Sequence, residues 1–185
     1  MVGTMDPEVA PLLRSIRSHG RPDGSIYFDF QRFGYNSRMN DLEAAVGIEG
    51  IEQYETIFEE RRKLLVAMRE RLAPYREFLY LYDDEPDGVI APHACPLVLR
   101  EGAPYDLKAL YQWLESRGIQ CKTLFGSLPT QHRVFRFLGY QLGQFPEAEY
   151  VGERGLHFGC HQYMTPEDVD YIAEAVGEFL KKNKR

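Results

Sequence analysis

The stretch Phe33-Gly34-Tyr35-Asn36-Ser37-Arg38-Met39-Asn40-Asp41-Leu42-Glu43-Ala44-Ala45-Val46-Gly47 combines a glycine turn, an Asn/Arg pair and the start of a helix. Asn40 and Glu43 have the three-residue spacing of a capping box, which predicts that Asn40 is the N-cap of that helix. Free amides and the positive end of a helix dipole attract phosphate, and Asn36 and Arg38 lie just ahead of them. By spacing alone, however, a turn before a capped helix is also ordinary structure.

The composition is that of a globular chain with an acidic surface. The 185 residues are 44% hydrophobic and 13% aromatic, which favours a packed core over disorder. A net charge of −6 is unsuited to a general nucleic-acid surface, because phosphate binding needs a basic field. No apolar run reaches the length of a membrane span, and the N-terminus has no signal-like segment. We therefore expect a cytoplasmic protein without a nucleic-acid or membrane partner.

The cysteines Cys95, Cys121 and Cys160 are odd in number, widely spaced and embedded in apolar runs typical of strands. This pattern favours reduced, buried thiols over disulfides or a metal cluster, and we predict no metal site. A thiol enzyme that pairs Cys160 with His161 is unfavourable as well, because adjacent side chains on a strand point to opposite faces.

The apolar pattern predicts helices first and a sheet later. A helix is expected over 6–18 with Asp6 as its N-cap, and a long helix over 40–73 that bends near Gly47 and Gly50. From residue 78 onward the order is two strands, a helix, a strand, a helical loop, a strand and a terminal helix. That order predicts an α/β fold in which a small, mainly antiparallel sheet carries helices on one face. The predicted strands are 78–82, 89–99, 119–125 and 155–160.

The opening stretch resembles the Gly-Tyr-Asn-x-Arg-Met-x-Asp-Leu-x-Ala-Ala signature of the DegT-type nucleotide-sugar aminotransferases, which are fold-type-I pyridoxal phosphate (PLP) enzymes. The likeness covers nearly the whole chain, but only the second half of a family enzyme. Further matching segments are Met1-Val2-Gly3-Thr4, Asp6-Pro7-Glu8, 16–20, Gly118-Ile119, Phe125-Gly126-Ser127, Leu138-Gly139-Tyr140, 145–149 and 165–172.

The resemblance implies that the chain is the C-terminal portion of such an enzyme. Residues 1–38 would be a remnant of the large PLP-binding domain, 39–74 a long interdomain helix, and 75–185 the small C-terminal α/β domain. The implied activity is amino transfer to a nucleotide-linked 4-keto-6-deoxy sugar in deoxysugar or lipopolysaccharide biosynthesis. The implied partners are a second subunit in a homodimer, or the missing large domain.

The resemblance also assigns candidate site residues. In the family, the Asn-x-Arg segment of the neighbouring subunit contacts the PLP phosphate, so Asn36 and Arg38 are cofactor-binding candidates; a guanidinium group suits oxyanions because it binds them bidentately. Loops at strand ends commonly hold ligands, which makes Ser127, Gln131 and His161 substrate-binding candidates.

The resemblance places the reactive residue outside the chain. The family's Schiff-base lysine lies in a stretch that would precede Met1, so we reject Lys122 for that role and expect no catalytic residue here. The chain alone is therefore predicted to be inactive, and PLP is expected to be bound by the full-length enzyme and not by this chain alone.

Two alternatives remain open. The segment 122–132 is nearer to the family's sugar 3-dehydratase branch, in which histidine replaces the lysine. A free-standing, non-catalytic interaction domain is the other alternative, since Leu42, Val46 and Ile51 on the long helix would be exposed and would favour self-association.

Overall fold

The computed structural model describes residues 2–27, 29–124 and 128–182, and the chain divides into two compact units, Met1–Gln53 and Tyr54–Arg185. The first unit contains helices α1 (Val9–Arg17) and α2 (Asp41–Glu52), joined by irregular backbone. Within the described ranges, no helix combines the length and hydrophobicity that a membrane crossing requires.

Helix α1 begins at Val9, later than the sequence predicted, and Asp6 caps the turn in front of it. The Asp6 carboxylate accepts hydrogen bonds from the amides of Glu8 at 2.8 Å and Val9 at 3.4 Å. These amides belong to the first turn, whose N–H groups have no partner inside the helix. Asp6 is therefore the side chain that satisfies this helix start.

The chain after α1 folds back along the end of that helix. The amide of Tyr35 donates to the Ile16 carbonyl at 2.7 Å, and the amide of Gln31 donates to the Gly20 carbonyl at 3.0 Å. A Cβ atom on Gly34 would lie only 2.1 Å from the backbone nitrogen of Gly20. Only glycine at position 34 allows the two segments to approach so closely.

The predicted capping box at the start of α2 is confirmed. Asn40 Oδ1 accepts from the Glu43 amide at 2.9 Å, and the Glu43 carboxylate accepts from the Asn40 amide at 3.0 Å. The single long helix predicted over 39–74 is instead two helices, because α2 ends at Glu52 and α3 begins at Tyr54. The interruption lies at Gln53, not at the two glycines.

The second unit builds a four-stranded sheet with the strand order β1-β2-β4-β3, in which every pair is antiparallel. The predicted α/β fold with a small antiparallel sheet is therefore confirmed. Its elements are α3 (Tyr54–Leu72), β1 (Leu79–Tyr80), β2 (Ala94–Leu99), α4 (Leu107–Glu115), β3 (Cys121–Thr123), α5 (Pro146–Arg154), β4 (Gly155–Gly159) and α6 (Pro166–Lys182), with short 3-10 turns at Ala73–Tyr75, Pro129–Gln131 and Arg133–Leu138.

Alternation along the strands places the core on one side of the sheet. Cys95 pairs with Phe158 and Leu97 pairs with Leu156, and all four side chains are buried in one cluster. Side chains of α3, α4 and α6 complete that cluster. Successive strand residues point to opposite faces, so His157, between two core residues, belongs to the other face.

Two aromatic side chains, Trp113 on α4 and Tyr105 just before it, form hydrogen bonds to the last helix, α6. The Trp113 indole donates to the Ala175 carbonyl at 2.8 Å, and the Tyr105 hydroxyl donates to the Leu180 carbonyl at 2.7 Å. Buried tyrosine and tryptophan need such partners. Helix α6 is thereby fixed over the sheet that carries the C-terminal candidate residues.

Candidate functional site

Asn36 and Arg38 lie on the strand-like segment that follows the end of α1. Asn36 forms an isolated antiparallel bridge with Ser18, and the amide of Ser37 donates to the Arg17 carbonyl at 3.0 Å. Both candidate side chains are exposed, and neither makes a hydrogen bond to any described residue. Their polar groups are thus available to a ligand.

Arg38 lines a small cavity together with three other arginines. The cavity measures about 170 Å³, and its wall includes Arg14, Arg17 and Arg21. Asp23 is the acid among the lining residues, and it pairs with Arg14 at 2.8 Å. The pocket therefore carries a clear excess of positive charge.

The arginines of this pocket differ in how far they are already engaged. Arg21 donates to the Tyr27 carbonyl at 3.0 Å and to the Ser25 carbonyl, so it shapes the turn. The guanidinium groups of Arg17 and Arg38 make no hydrogen bond or ion pair to any described residue. Two unengaged guanidinium groups at one cavity are a strong site for an oxyanion.

The size of the pocket limits what it can bind. Sites for whole small molecules usually measure about 300–1,000 Å³. At about 170 Å³ the arginine pocket suits a single group, such as a phosphate, rather than a complete cofactor or substrate. A second cavity of about 850 Å³ in the same unit shares Arg14 and Arg17 and is lined largely by apolar residues. The N-terminal unit therefore offers an anion pocket beside a larger apolar cavity.

The mouth of α2 is less suited to an anion than the sequence suggested. The Glu43 carboxylate already occupies the helix start, where it accepts from the Asn40 amide. A carboxylate at that position neutralises the positive end of the helix dipole. The anion-binding capacity of this unit therefore resides in the arginine side chains.

Gln131 is engaged within its own loop. Its amide nitrogen donates to the Glu149 carboxylate at 2.8 Å and to the Gln141 carbonyl at 2.9 Å, and its oxygen accepts from the Leu128 amide at 3.3 Å. These bonds, and those from backbone amides, hold the pKa of Glu149 below its usual range. A substrate role for Gln131 stays a prediction, and Ser127 lies outside the described residues.

His161 lies just beyond β4, where it is exposed. Its Nδ1 accepts from the Tyr163 amide at 3.3 Å, which orients the ring. The side chain lines a cavity of about 420 Å³ together with Phe158, Met164 and Tyr171. An imidazole beside aromatic and thioether groups could bind part of a substrate, and this role for His161 also stays a prediction.

His157 and Lys122 are cross-strand neighbours on the sheet face opposite the core. Burial, together with the nearby positive groups of His93 and Lys122, lowers the pKa of His157. Lys122 itself is exposed. A Schiff-base lysine is usually desolvated in a closed pocket, and Lys122 has no such environment.

Cys95, Cys121 and Cys160 are buried, as predicted, and each is a free thiol in the structure. The Cys160 thiol donates to the Arg61 carbonyl at 3.2 Å, inside the core. A hydrogen bond to Cys160 and burial raise the pKa of the Cys95 thiol, and burial raises that of Cys121 to about 11. Among the described residues, no group of three or more His, Cys, Asp or Glu could hold a metal ion.

The sequence profile of the DegT/DnrJ/EryC1/StrS aminotransferase family matches residues 1–177. The chain therefore belongs to this family, whose members are PLP-dependent aminotransferases and 3-dehydratases that act on nucleotide sugars.

Two curated relatives illustrate the level of similarity. The dTDP-4-dehydro-2,6-dideoxy-D-glucose 3-dehydratase of Saccharopolyspora spinosa is 26% identical over 163 residues, which are 84% of this chain and 34% of that protein. The GDP-4-keto-6-deoxy-D-mannose 3-dehydratase of Yersinia pseudotuberculosis is 28% identical over 144 residues, which are 77% of this chain and 36% of that protein. The chain thus spans about a third of the length of these relatives.

A solved structure supports the fold. The crystal structure of S. venezuelae DesV in complex with a ketimine intermediate has a TM-score of 0.77 at 22% identity, and the match covers 96% of this chain and 46% of that one. This likeness confirms that the chain has the fold of part of that protein.

Proposed function

We propose that the chain is the C-terminal part of a PLP-dependent enzyme that transfers an amino group to a nucleotide-linked 4-keto-6-deoxy sugar. The observation that carries the proposal is the arginine pocket, which lies in the segment that matches the family and includes Arg38. Nucleotide sugars and PLP share phosphate as their anionic group, and this pocket has the charge and size to bind one phosphate.

PLP, when bound in the complete assembly, would supply an electron sink for the reaction at the sugar carbon. The contribution of this chain is binding and positioning. Arg38 and Arg17 would each donate to phosphate oxygens, since neither guanidinium group has a partner among the described residues. Asn36 is not among the described residues that line the pocket, but its backbone pairs with the lining residue Ser18, and its exposed amide would supply a neutral donor nearby.

Dehydration at the neighbouring sugar carbon is the second candidate reaction. The relatives from S. spinosa and Y. pseudotuberculosis are both described as 3-dehydratases, which favours this branch. The family resemblance separates the two branches by one residue, since lysine is typical of amino transfer and histidine of dehydration. Identifying whether lysine or histidine occupies that position in the complete enzyme would therefore distinguish them.

The partner of this chain would be a second copy or a polypeptide that carries the remaining half of the family fold. No residue of α2 is buried, and Leu42, Val46 and Ile51 are each more than 70% exposed. Apolar side chains presented in this way usually mark an interaction surface. A non-catalytic interaction domain would use the same surface, so exposure alone does not separate the two functions.

Phosphate binding by Arg38 would distinguish the PLP-dependent enzyme from the non-catalytic interaction domain. The complete cofactor site needs the rest of the enzyme, but the arginine pocket lies within one unit of this chain and can be probed for phosphate binding alone. We would titrate the chain with pyridoxine 5′-phosphate, which lacks the aldehyde and so cannot react with lysines, and with pyridoxine, which lacks the phosphate. Arg38→Ala should weaken binding of the phosphate compound by about 10–100-fold, because a hydrogen bond to a charged group contributes about 1.5–3 kcal/mol. Asn36→Ala should have a smaller effect, since its amide is neutral.

The control is Arg76→Ala, which removes an exposed arginine from the other unit and should leave the titration unchanged. Circular dichroism would show that each variant keeps its fold. Equal binding of pyridoxine and its phosphate, or an Arg38→Ala variant that binds like the original chain, would contradict the proposed function.

A further inference from the structure

Two of the three buried thiols lie together in the core of the C-terminal unit. Cys95 lies on β2, where it pairs with Phe158, and Cys160 directly follows β4. Alternation along the strand places Cys160 on the same face as Phe158, diagonally across from Cys95. The two thiols are hydrogen-bonded to each other, and each residue is only 2% exposed. The sheet therefore builds a thiol pair from segments that are distant in the sequence.

Two arginines of α3 adjoin this thiol pair. The Cys160 thiol donates to the Arg61 carbonyl at 3.2 Å, and the charge of Arg69 acts on Cys95, where it opposes the rise of the thiol pKa. Arg61 Nε, Arg69 Nε and Arg69 Nη2 are buried without a hydrogen-bond partner among the described residues. Buried polar groups almost always have partners, so these donors are suited to a negative charge that forms in the core.

Asp84 does not use the unpartnered donors of Arg69. Its carboxylate accepts two hydrogen bonds from Arg62 and lies 3.6 Å from Arg69 Nη1, the remaining nitrogen of that guanidinium group. The charge of Arg69 is therefore only partly compensated by Asp84. Its Nε and Nη2 stay available to another anion, and a thiolate is the anion that the neighbouring side chains can supply.

The surroundings favour ionisation of Cys160 over Cys95. A hydrogen bond from Cys95 lowers the pKa of the Cys160 thiol, and the charge of Arg61 lowers it further, whereas burial acts in the opposite direction. The same hydrogen bond and burial raise the pKa of Cys95. The thiolate is the nucleophilic form of cysteine. Cys160 is therefore the attacking sulfur of the pair, and Cys95 is the second thiol.

Cys121 is an internal comparison, because it is equally buried but has opposite surroundings. It is also 2% exposed, and its sulfur lies 4.0 Å from the Glu115 carboxylate. Burial and the negative charge of Glu115 raise the pKa of this thiol to about 11. Burial is thus common to all three cysteines, whereas the arginines and the second thiol distinguish Cys160.

A cavity gives a small oxidant a route to the pair. The cavity of about 420 Å³ is lined by Phe158, Gly159 and His161, the residues on both sides of Cys160. Strand pairing ends at Gly159, so Cys160 can shift without breaking a pair of the sheet. A disulfide needs this freedom, because its sulfur atoms are only about 2.05 Å apart, closer than a hydrogen bond holds them.

We propose that Cys160 and Cys95 form a reversible disulfide when the protein meets a peroxide. With hydrogen peroxide, the Cys160 thiolate attacks one oxygen, the O–O bond breaks, and hydroxide leaves and takes up the proton that the thiol released. Cys160 is then a sulfenic acid. The Cys95 thiol attacks its sulfur, the S–O bond breaks, and the hydroxyl leaves with the Cys95 proton as water.

The balance is closed, because two thiols lose two electrons and one hydrogen peroxide becomes two waters. A small dithiol reverses the reaction by exchange. Disulfides of reducing compartments are usually transient and sense oxidants, which agrees with thiols that are free in the structure. The inference is independent of the proposed function, since all its residues belong to the C-terminal unit.

The test is peptide mapping of the chain after treatment with hydrogen peroxide. Remaining thiols are blocked with iodoacetamide in denaturant, and the digest is analysed by mass spectrometry without reduction. We expect a cross-linked Cys95–Cys160 peptide pair in about tenfold or greater excess over any oxidised form of Cys121. Dithiothreitol should remove the cross-link. Cys95→Ser should stop the reaction at a sulfenic acid on Cys160, trapped with dimedone, and Cys160→Ser should leave Cys95 unoxidised.

The role of the arginine is tested with Arg69→Met, which removes the charge but keeps a long, unbranched side chain. This variant should form the disulfide about tenfold more slowly or worse, because a nearby opposite charge favours the thiolate by about that factor. The matched control is Arg71→Met, which removes an exposed arginine of the same helix that pairs with Asp170, and it should react like the original chain. Circular dichroism would show that both variants are folded.

Exposed Met5 reports whether the peroxide treatment was effective, since its side chain is fully accessible and forms a sulfoxide. Free Cys95 and Cys160 in a sample whose Met5 is oxidised would overturn the proposal, and this result needs no variant. Oxidation of Cys121 at the same rate as Cys160 would overturn it too, because burial alone would then decide reactivity.

Discussion

The close approach of two backbone segments in the N-terminal unit depends on a single residue, Gly34. Replacing it with alanine would place a Cβ atom 2.1 Å from the backbone nitrogen of Gly20, so the two segments would have to separate. The bond from the Tyr35 amide to the Ile16 carbonyl would weaken with them. We expect Gly34→Ala to lower the local free energy of unfolding by about 2 kcal/mol or more, measured as faster hydrogen exchange of the Tyr35 amide.

The matched control is Gly47→Ala in α2, where an added Cβ atom meets nothing within 4 Å. Alanine is a better helix former than glycine, so this variant should be stabilised by about 0.5–1 kcal/mol. Wild-type exchange of the Tyr35 amide in Gly34→Ala would show that the close approach is not needed.

The candidate site could be predicted in part from single residues. Asn36 and Arg38 were identifiable because a family signature contains them, and the capping box could be read from the identities of Asn40 and Glu43. Arg14, Arg17 and Arg21 were not predicted as site residues, although they recur at intervals of three and four residues. Their convergence on one cavity depends on the turn at 18–25, whose path no local pattern specifies.

At the scale of elements, α5 holds the loop in front of it through Glu149. This carboxylate accepts from Gln131 and from the amides of Gly143 and Phe145, and these bonds lower its pKa. A carboxyl group with a lowered pKa in the folded state stabilises that state above its unfolded pKa, which is about 4.3 for glutamate. The contribution should disappear as the pH falls through the lower, folded pKa.

Acidification should therefore release this loop before the rest of the unit unfolds. The amide signals of Gly143 and Phe145 in NMR spectra should move together as the pH is lowered below about 4.3. Glu149→Gln should make both signals insensitive to pH in this range, because its side chain does not titrate. If the original chain and this variant gave the same pH profile, another group would control the loop.

The elements themselves were largely predictable, and their boundaries were less so. Leu107, Leu110 and Leu114 have helical spacing, and α4 forms where they lie. The apolar residues over 40–73 also keep a helical spacing throughout, so the sequence pattern does not reveal the break at Gln53. Its amide still donates to the Glu49 carbonyl at 3.1 Å, so the interruption barely disturbs the period that sequence analysis detects.

At the scale of the whole molecule, the two units place the candidate residues on different bodies. Asn36 and Arg38 belong to Met1–Gln53, whereas Gln131 and His161 belong to Tyr54–Arg185. The C-terminal unit has its own buried core, and helix α2 of the N-terminal unit has no buried residue. The N-terminal unit therefore leaves the apolar side chains of α2 uncovered, whereas the C-terminal unit buries its own.

The chemistry expected of the isolated chain follows from its lysines. All five described lysines are exposed, and a neighbouring carboxylate even raises the pKa of Lys63. A lysine that forms a stable Schiff base is usually buried and has a lowered pKa. With pyridoxal phosphate and borohydride, we therefore expect slow, scattered modification of several lysines, detected by peptide mass spectrometry. Pyridoxine 5′-phosphate, which cannot react with amines, is the control for binding without chemistry. Rapid, stoichiometric labelling of one lysine would mean that this chain carries the reactive amine itself.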